Sequence, residues 1–183
     1  MTSTNSFGKL RFAIPYLCNY KGGAIFLDGA DMLMRTSLAE LWALREGWYG
    51  VQVVKHDYKT KSPKKYVGTK MESQNSDYPR KNWSSCVIWS CDYSKHQVLT
   101  PRYISETSPS TLHRFGWLPD ERIGELPAEF NHLVGEQKPN KDAKIAHYTL
   151  GIPGFEHYRH AEHAQEWTES LKRAAAGLQY LGK

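Results

Sequence analysis

AIFLDGADML, residues 24–33, reads as a short buried strand that stops at Asp28 and Gly29 and carries two carboxylates, Asp28 and Asp31, at its end. Gly29 and Ala30 between them are small, so the backbone can turn and a bulky ligand can come close. In open α/β sheets, ligands bind beyond the carboxyl ends of the strands, which is where this pair is expected. Paired oxygen ligands suit Mg2+ or Mn2+, ions that usually complete their shells with substrate phosphates. The same residues also read as a polar turn in which Asp31 caps the next helix.

Outward from this stretch the chain alternates strands and helices. A first helix, capped by Ser6, places Leu10, Ile14 and Leu17 at helical spacing and is interrupted by Pro15. SLAELWAL (37–44) is a helix with Ser37 as N-cap and Leu38, Leu41 and Trp42 on one face. VQVV (51–54) and SCVIWSC (85–91) read as strands, the second almost continuously apolar. Residues 117–135 mix a helical turn with short extended pieces, and AKIAHYTL (143–150) suggests a strand ending near His147. From about His157 to Leu178 a helical stripe of Tyr158, Ala161, Ala164, Trp167, Leu171, Ala174 and Leu178 predicts a long C-terminal helix lying on a sheet. The order of pieces predicts an α/β fold in one domain spanning 1–183.

The 183 residues are 40% hydrophobic, enough for a core, and rich in aromatics, with six Trp and eleven Tyr. No apolar run approaches the length of a membrane span, and no secretory leader is visible. Cys18, Cys86 and Cys91 show no zinc-finger spacing, which predicts a reduced, cytoplasmic protein. The net charge of +5 is concentrated: Lys55–Lys81 holds eight basic residues against Asp57, Glu72 and Asp77, and the rest of the chain balances. This stretch reads as a long solvated loop, with attraction to a phosphate-bearing substrate or peripheral contact with a membrane surface as the functional alternatives.

His147 strengthens the metal reading of Asp28 and Asp31, because an imidazole beside two carboxylates favours Mn2+ over Mg2+. Other clusters are weaker. His157, His160 and His163 follow one helical face and read first as solvated, with zinc binding as the sharper alternative. His56 and Asp57 follow a strand, and residues 112–115 with Trp117 read either as core or as a platform for a sugar ring. There is no nucleophile elbow, Walker loop or GxGxxG, and no nucleic-acid-binding module is recognisable.

Five stretches together resemble the family 8 glycosyltransferases, the group of glycogenin and bacterial lipopolysaccharide galactosyltransferases, and within it the bacterial and phage branch. They are FGKLRFAIPYL (7–17), AIFLDGADML with SLAELWAL, SSCVIW (84–89), PDERIGELPAEFNHLVG (119–135) and AKIAHYTLGIPGF (143–155). The resemblance implies an incomplete GT-A, Rossmann-like mixed sheet flanked by helices, lacking the N-terminal segment that cradles the nucleotide base. It implies Mn2+ (or Mg2+) held by Asp28, Asp31 and His147 against the diphosphate of a nucleotide-sugar donor, UDP-linked in that family's manner. Gly151 would let the diphosphate approach, Arg11 would face the donor, Ser84 and Ser85 would lie at the donor site, and Asp120 and Glu121 would flank the reacting sugar. The implied activity is hexosyl transfer, with retention, to a glycan or lipid-linked saccharide. The sequence departs from the family pattern in three places: DGAD is one residue longer than DxD, Ser84 and Cys86 stand where Asn and Gly are usual, and the downstream motif lacks its Lys and Trp. A second reading, from a different class, is a non-catalytic carbohydrate- or nucleic-acid-binding remnant that uses the basic stretch.

Overall fold

The computed structural model describes residues 6–181, with side chains over 8–177. The expected capping by Ser6 and the stripe position of Leu178 fall outside the described side chains. The fold is mixed α/β, with helices beside mixed sheets and a long C-terminal helix. Its residues cluster into two compact units, each assembled from three segments: 1–28, 37–57 and 78–128 in the first, and 29–36, 58–77 and 129–183 in the second.

The first unit opens with α1 (Ser6–Lys9), a 3-10 turn (Leu10–Ala13) and α2 (Ile14–Leu17). Pro15 sits in the first turn of α2, where its missing N–H costs nothing, so the expected interruption is a restart. Strand β1 (Gly23–Leu27) pairs antiparallel with the strand at Cys86–Ser90, which pairs antiparallel with Val51–Val53, which pairs parallel with Ile123–Glu125. Three of these four strands stand where the apolar runs predict them. In the same unit, α3 (Leu38–Trp42) is capped as expected, with the Ser37 side chain accepting from the Glu40 N–H. The core gathers Phe12, Val51, Val53, Val87 and Trp89 from these elements with Ile104 from α4 (Pro101–Glu106) and Leu112 from α5 (Pro109–His113). Trp117 stacks on Trp89 and donates through Nε1 to His96 Nδ1 at 3.2 Å, so this ring belongs to the core and not to a sugar platform.

In the second unit β2 (Met32–Met34) follows a 3-10 turn at Gly29–Asp31, so Asp31 leads into a strand and not into a helix. The hairpin β4–β5 (Lys64–Lys65 and Ser73–Gln74) gives regular structure to part of the stretch expected to be a solvated loop. With β3 as Val51–Val53, β6 as Cys86–Ser90 and β7 as Ile123–Glu125, the remaining strands are β8 (His132–Leu133) and β9 (Ile145–His147). A three-stranded sheet runs in the order β2-β9-β8, antiparallel then parallel. Helix α6 (Ala164–Leu181) packs on β2, and Trp167 joins Leu33, Val134, Ala146 and Tyr148 in a small core. The helix begins later than its apolar stripe suggests. Residues 156–158 form a 3-10 turn and His163 has φ +58°, a left-handed conformation through which an α-helix cannot run. His157, His160 and His163 therefore do not share a helical face.

Among the described residues, no helix is long and apolar enough to cross a membrane.

Candidate metal centre and its surroundings

The two carboxylates of the opening stretch have different surroundings, one in each unit. Asp28 follows β1 and is clasped by Arg11, whose Nη1 and Nη2 donate to its two carboxylate oxygens at 3.0 and 2.8 Å. Arg11 also donates from Nε to the Gly8 carbonyl and from Nη1 to the Ser84 carbonyl, and its guanidinium lies over the Phe26 ring. Four of the five N–H donors of a guanidinium are thus committed within the protein. Arg11 thereby ties the N-terminal helices to the end of β1.

Ser84 and Ser85 are buried beside this clasp and already bonded. Ser84 Oγ lies 2.6 Å from His113 Nδ1, and Ser85 Oγ donates to the Asn82 carbonyl. Burial pushes the His113 imidazole down to about 4, and the neighbouring Arg11 guanidinium adds to the effect, so the ring is neutral at pH 7. Asp120 is exposed on a 3-10 turn and pairs with Arg80, while Glu121 is exposed on the same turn. Neither stands in a closed pocket of the kind a reacting sugar needs.

Asp31 lies in the second unit beside His147. Strand pairing sets this up: Met32 faces His147 across the β2–β9 ladder, and the Tyr148 N–H donates to the Asp31 carbonyl at 2.8 Å. Across the gap His147 Nε2 is 3.4 Å from Asp31 Oδ2. On its other side His147 Nδ1 lies 2.9 Å from the side-chain carbonyl oxygen of Asn131, a fully buried residue at the end of the Ala128–Asn131 turn. An amide oxygen can only accept, so Nδ1 is the donor to Asn131 and Nε2 is the ring atom left facing the carboxylate. Two electron-rich atoms face each other there, and either a proton or a metal cation resolves the conflict. Asp31 Oδ1 favours the cation: it is buried with no hydrogen-bond partner, and a proton on Nε2 would leave it so. The spacing also suits one ion, since ligand atoms about 2.1 Å from a common centre lie about 3.0–3.4 Å apart at octahedral to tetrahedral angles.

Among the described residues, no group of three or more His, Cys, Asp or Glu could hold a metal ion. What the fold presents from the expected set Asp28, Asp31 and His147 is the pair Asp31–His147. A hard cation bound by so few protein groups takes the rest of its shell from water and substrate oxygens.

Gly151 is the other expected donor contact. Its φ of +154° disfavours a side chain, and a Cβ built there would overlap the ring of Tyr158. The close approach that this glycine permits is therefore made by Tyr158, whose hydroxyl accepts from the Val67 N–H at 3.0 Å. Beside them is a cleft of about 450 Å3 lined in part by Ser62, Gln137, His157 and His160. The basic stretch is also partly tied down: Lys64 pairs with Glu72, Arg80 bonds to Asp120 and to the Arg114 carbonyl, and Lys81 is buried.

Sequence reasoning passed over Asn131. Its signal is faint, a polar residue between Phe130 and the pair Leu133–Val134, where a buried amide must find partners.

No family model matches the sequence. The chain is similar to a plant protein, "Protein CDI" of Arabidopsis thaliana, at 36% identity over 174 residues, which is 92% of this chain and 65% of that protein. The chain thus spans about two thirds of the length of the curated relative it matches. These findings overturn the family 8 resemblance: the similarity found is to a plant protein, and nothing in it points to a bacterial or phage glycosyltransferase. The roles carried over from that family lose their basis and stand or fall on the geometry above.

Proposed function

We propose that this chain uses Asp31 and His147 to hold a divalent cation, Mn2+ or Mg2+, and that it serves hexosyl transfer from a nucleotide diphosphate sugar to a glycan or lipid-linked saccharide. The observation that carries the reading is the Asp31–His147 pair, with its orphaned carboxylate oxygen and its imidazole held by Asn131. A bound cation would neutralise the charge that develops on a departing diphosphate. The chain's own part is to position: the β2–β9 ladder and the Tyr148–Asp31 backbone bond keep both ligands at one spacing before any ion arrives. Asp31 is partly open to solvent, so a diphosphate can reach the same ion. Three free thiols suit a cytoplasmic setting, which belongs to this proposal. Retention of configuration was an implication of the overturned resemblance and is not part of it.

Calorimetric titration with UDP in the presence and absence of Mn2+ tests the reading. UDP should bind only with Mn2+, and Asp31→Ala or His147→Ala should weaken it at least about tenfold, the lower range for loss of metal-site groups. UDP binding that ignores Mn2+, or that survives Asp31→Ala, would sink the proposal.

A further inference from the structure

We infer that Asn131 is the positioning residue of the cation centre: its side-chain carbonyl takes the Nδ1–H of His147 and so presents the Nε2 lone pair, side by side with the Asp31 carboxylate, to a divalent ion. The inference rests on the cation reading of Asp31 and His147 and extends it to a residue outside the ligand set. Three observations carry it. Asn131 and His147 are both buried and 2.9 Å apart, so water does not compete for this bond. Asn131 ends the 3-10 turn that feeds β8, and β8 runs parallel to β9 with Leu133 opposite His147, so the backbone fixes the amide relative to the ring. The bond is also at the correct end of the imidazole. A ring held through Nδ1 can offer only Nε2, and Nε2 is the atom that faces Asp31.

A partner of this kind fixes tautomer and ring orientation, and a stronger acceptor in its place makes the imidazole a better ligand. Asn131 therefore acts through His147 and touches no substrate. This separates it from a residue that merely fills the core: a packing role depends on shape, whereas the positioning role depends on an acceptor at Nδ1. Leu and Asp resemble Asn in size and both lack its amide N–H donors, and of the two Asp alone keeps an acceptor for Nδ1.

The test is titration of Mn2+ by loss of its free electron paramagnetic resonance signal, with and without UDP, for the whole chain and for Asn131→Leu and Asn131→Asp. Asn131→Leu should weaken Mn2+ binding about ten- to a hundredfold. Asn131→Asp should bind Mn2+ at least as tightly as the native chain. Equal Mn2+ affinity in the native chain and Asn131→Leu overturns the inference and leaves the cation reading standing. Mn2+ binding that is unaffected by UDP and obeys both variants supports Asn131 while removing the glycosyl-transfer reading. No Mn2+ binding by the native chain removes both. Should Asn131→Leu fail to fold, nitrogen-15 correlation spectra of His147 in the Mg2+-loaded native chain decide: a proton on Nδ1 with bare Nε2 supports the inference, and the opposite tautomer overturns it.

Discussion

At the scale of single residues, the two carboxylates that look alike in the sequence sit among different partners. Asp28 is a structural anion: Arg11, one tenth exposed, depends on it for two of its bonds. Asp28→Ala should destabilise the fold by about 2–3 kcal/mol, the usual scale for hydrogen bonds to a charged group, and Asp28→Asn by less, since one acceptor survives. Urea unfolding checks both, and a neutral Asp28→Ala would deny the clasp its role. His113 adds a pH dependence. Its ordinary value is near 6.5 and burial lowers it to about 4 in the fold, so between these limits the unfolded chain binds a proton that the folded chain refuses. Stability from this group is complete above about pH 6.5 and is lost as pH falls towards 4, at up to about 1.4 kcal/mol per pH unit. Comparing urea midpoints at pH 7 and pH 5, the native chain should lose more than His113→Gln, and equal losses would rule the group out. The pair Asp28 and Asp31 stood out in the sequence as two carboxylates at the end of an apolar run. Their different surroundings were not legible, because these depend on Arg11 and His147, which lie elsewhere in the sequence.

At the scale of elements, legibility followed the length of the apolar stretch around each one. The runs at 24–28, 51–54 and 85–91 contain most of β1 and all of β3 and β6, because a buried apolar run leaves a continuous mark. Strands β2, β4, β5 and β8 leave none, since a run of two or three residues has no period to detect unless a longer apolar stretch surrounds it, as VQVV does for β3 and AKIAHYTL for β9. Helix α6 was visible through its stripe, but its start was not: the stripe continues through Tyr158 and Ala161, while the left-handed backbone at His163 delays the helix to Ala164. The short helices α4 and α5 carry their own start signals, Thr100 before Pro101 and Ser108 before Pro109. Each cap accepts a backbone N–H, from Tyr103 at 3.2 Å and Thr111 at 3.1 Å, and each helix buries one aliphatic anchor, Ile104 and Leu112. Ser108→Ala should therefore cost about 1 kcal/mol and Ser108→Gly only a few tenths. Thermal unfolding of the two variants checks this order, and equal losses would show that the hydroxyl bond is not what holds α5.

At the scale of the whole molecule, neither unit is a contiguous stretch, and this determines what truncation does. Strands β1, β6, β3 and β7 and the core around Trp89 come entirely from residues before 129. The second unit depends on its last segment. Residues 29–36 enter it through the pairing of β2 with β9. Residues 58–77 enter it through Glu136, which accepts from the Lys61 N–H at 2.8 Å and from Asn75 Nδ2 at 2.6 Å, and through the Tyr66 N–H donating to the Leu150 carbonyl at 2.6 Å. All of those partners lie beyond residue 128. A fragment of residues 1–128 should therefore keep the unfolding transition of the first core while its 58–77 segment loses every one of these ties. That segment carries Lys59, Lys61, Lys64, Lys65 and Lys70, so brief trypsin treatment should cut it early in the fragment and slowly in the full chain. The net positive charge of the stretch, which invited a binding role at first reading, then serves as a reporter of folding. Equal protection of 58–77 in the fragment and the full chain would mean that the hairpin β4–β5 stands without Glu136 and Leu150, and the keystone role of the last segment would have to be abandoned.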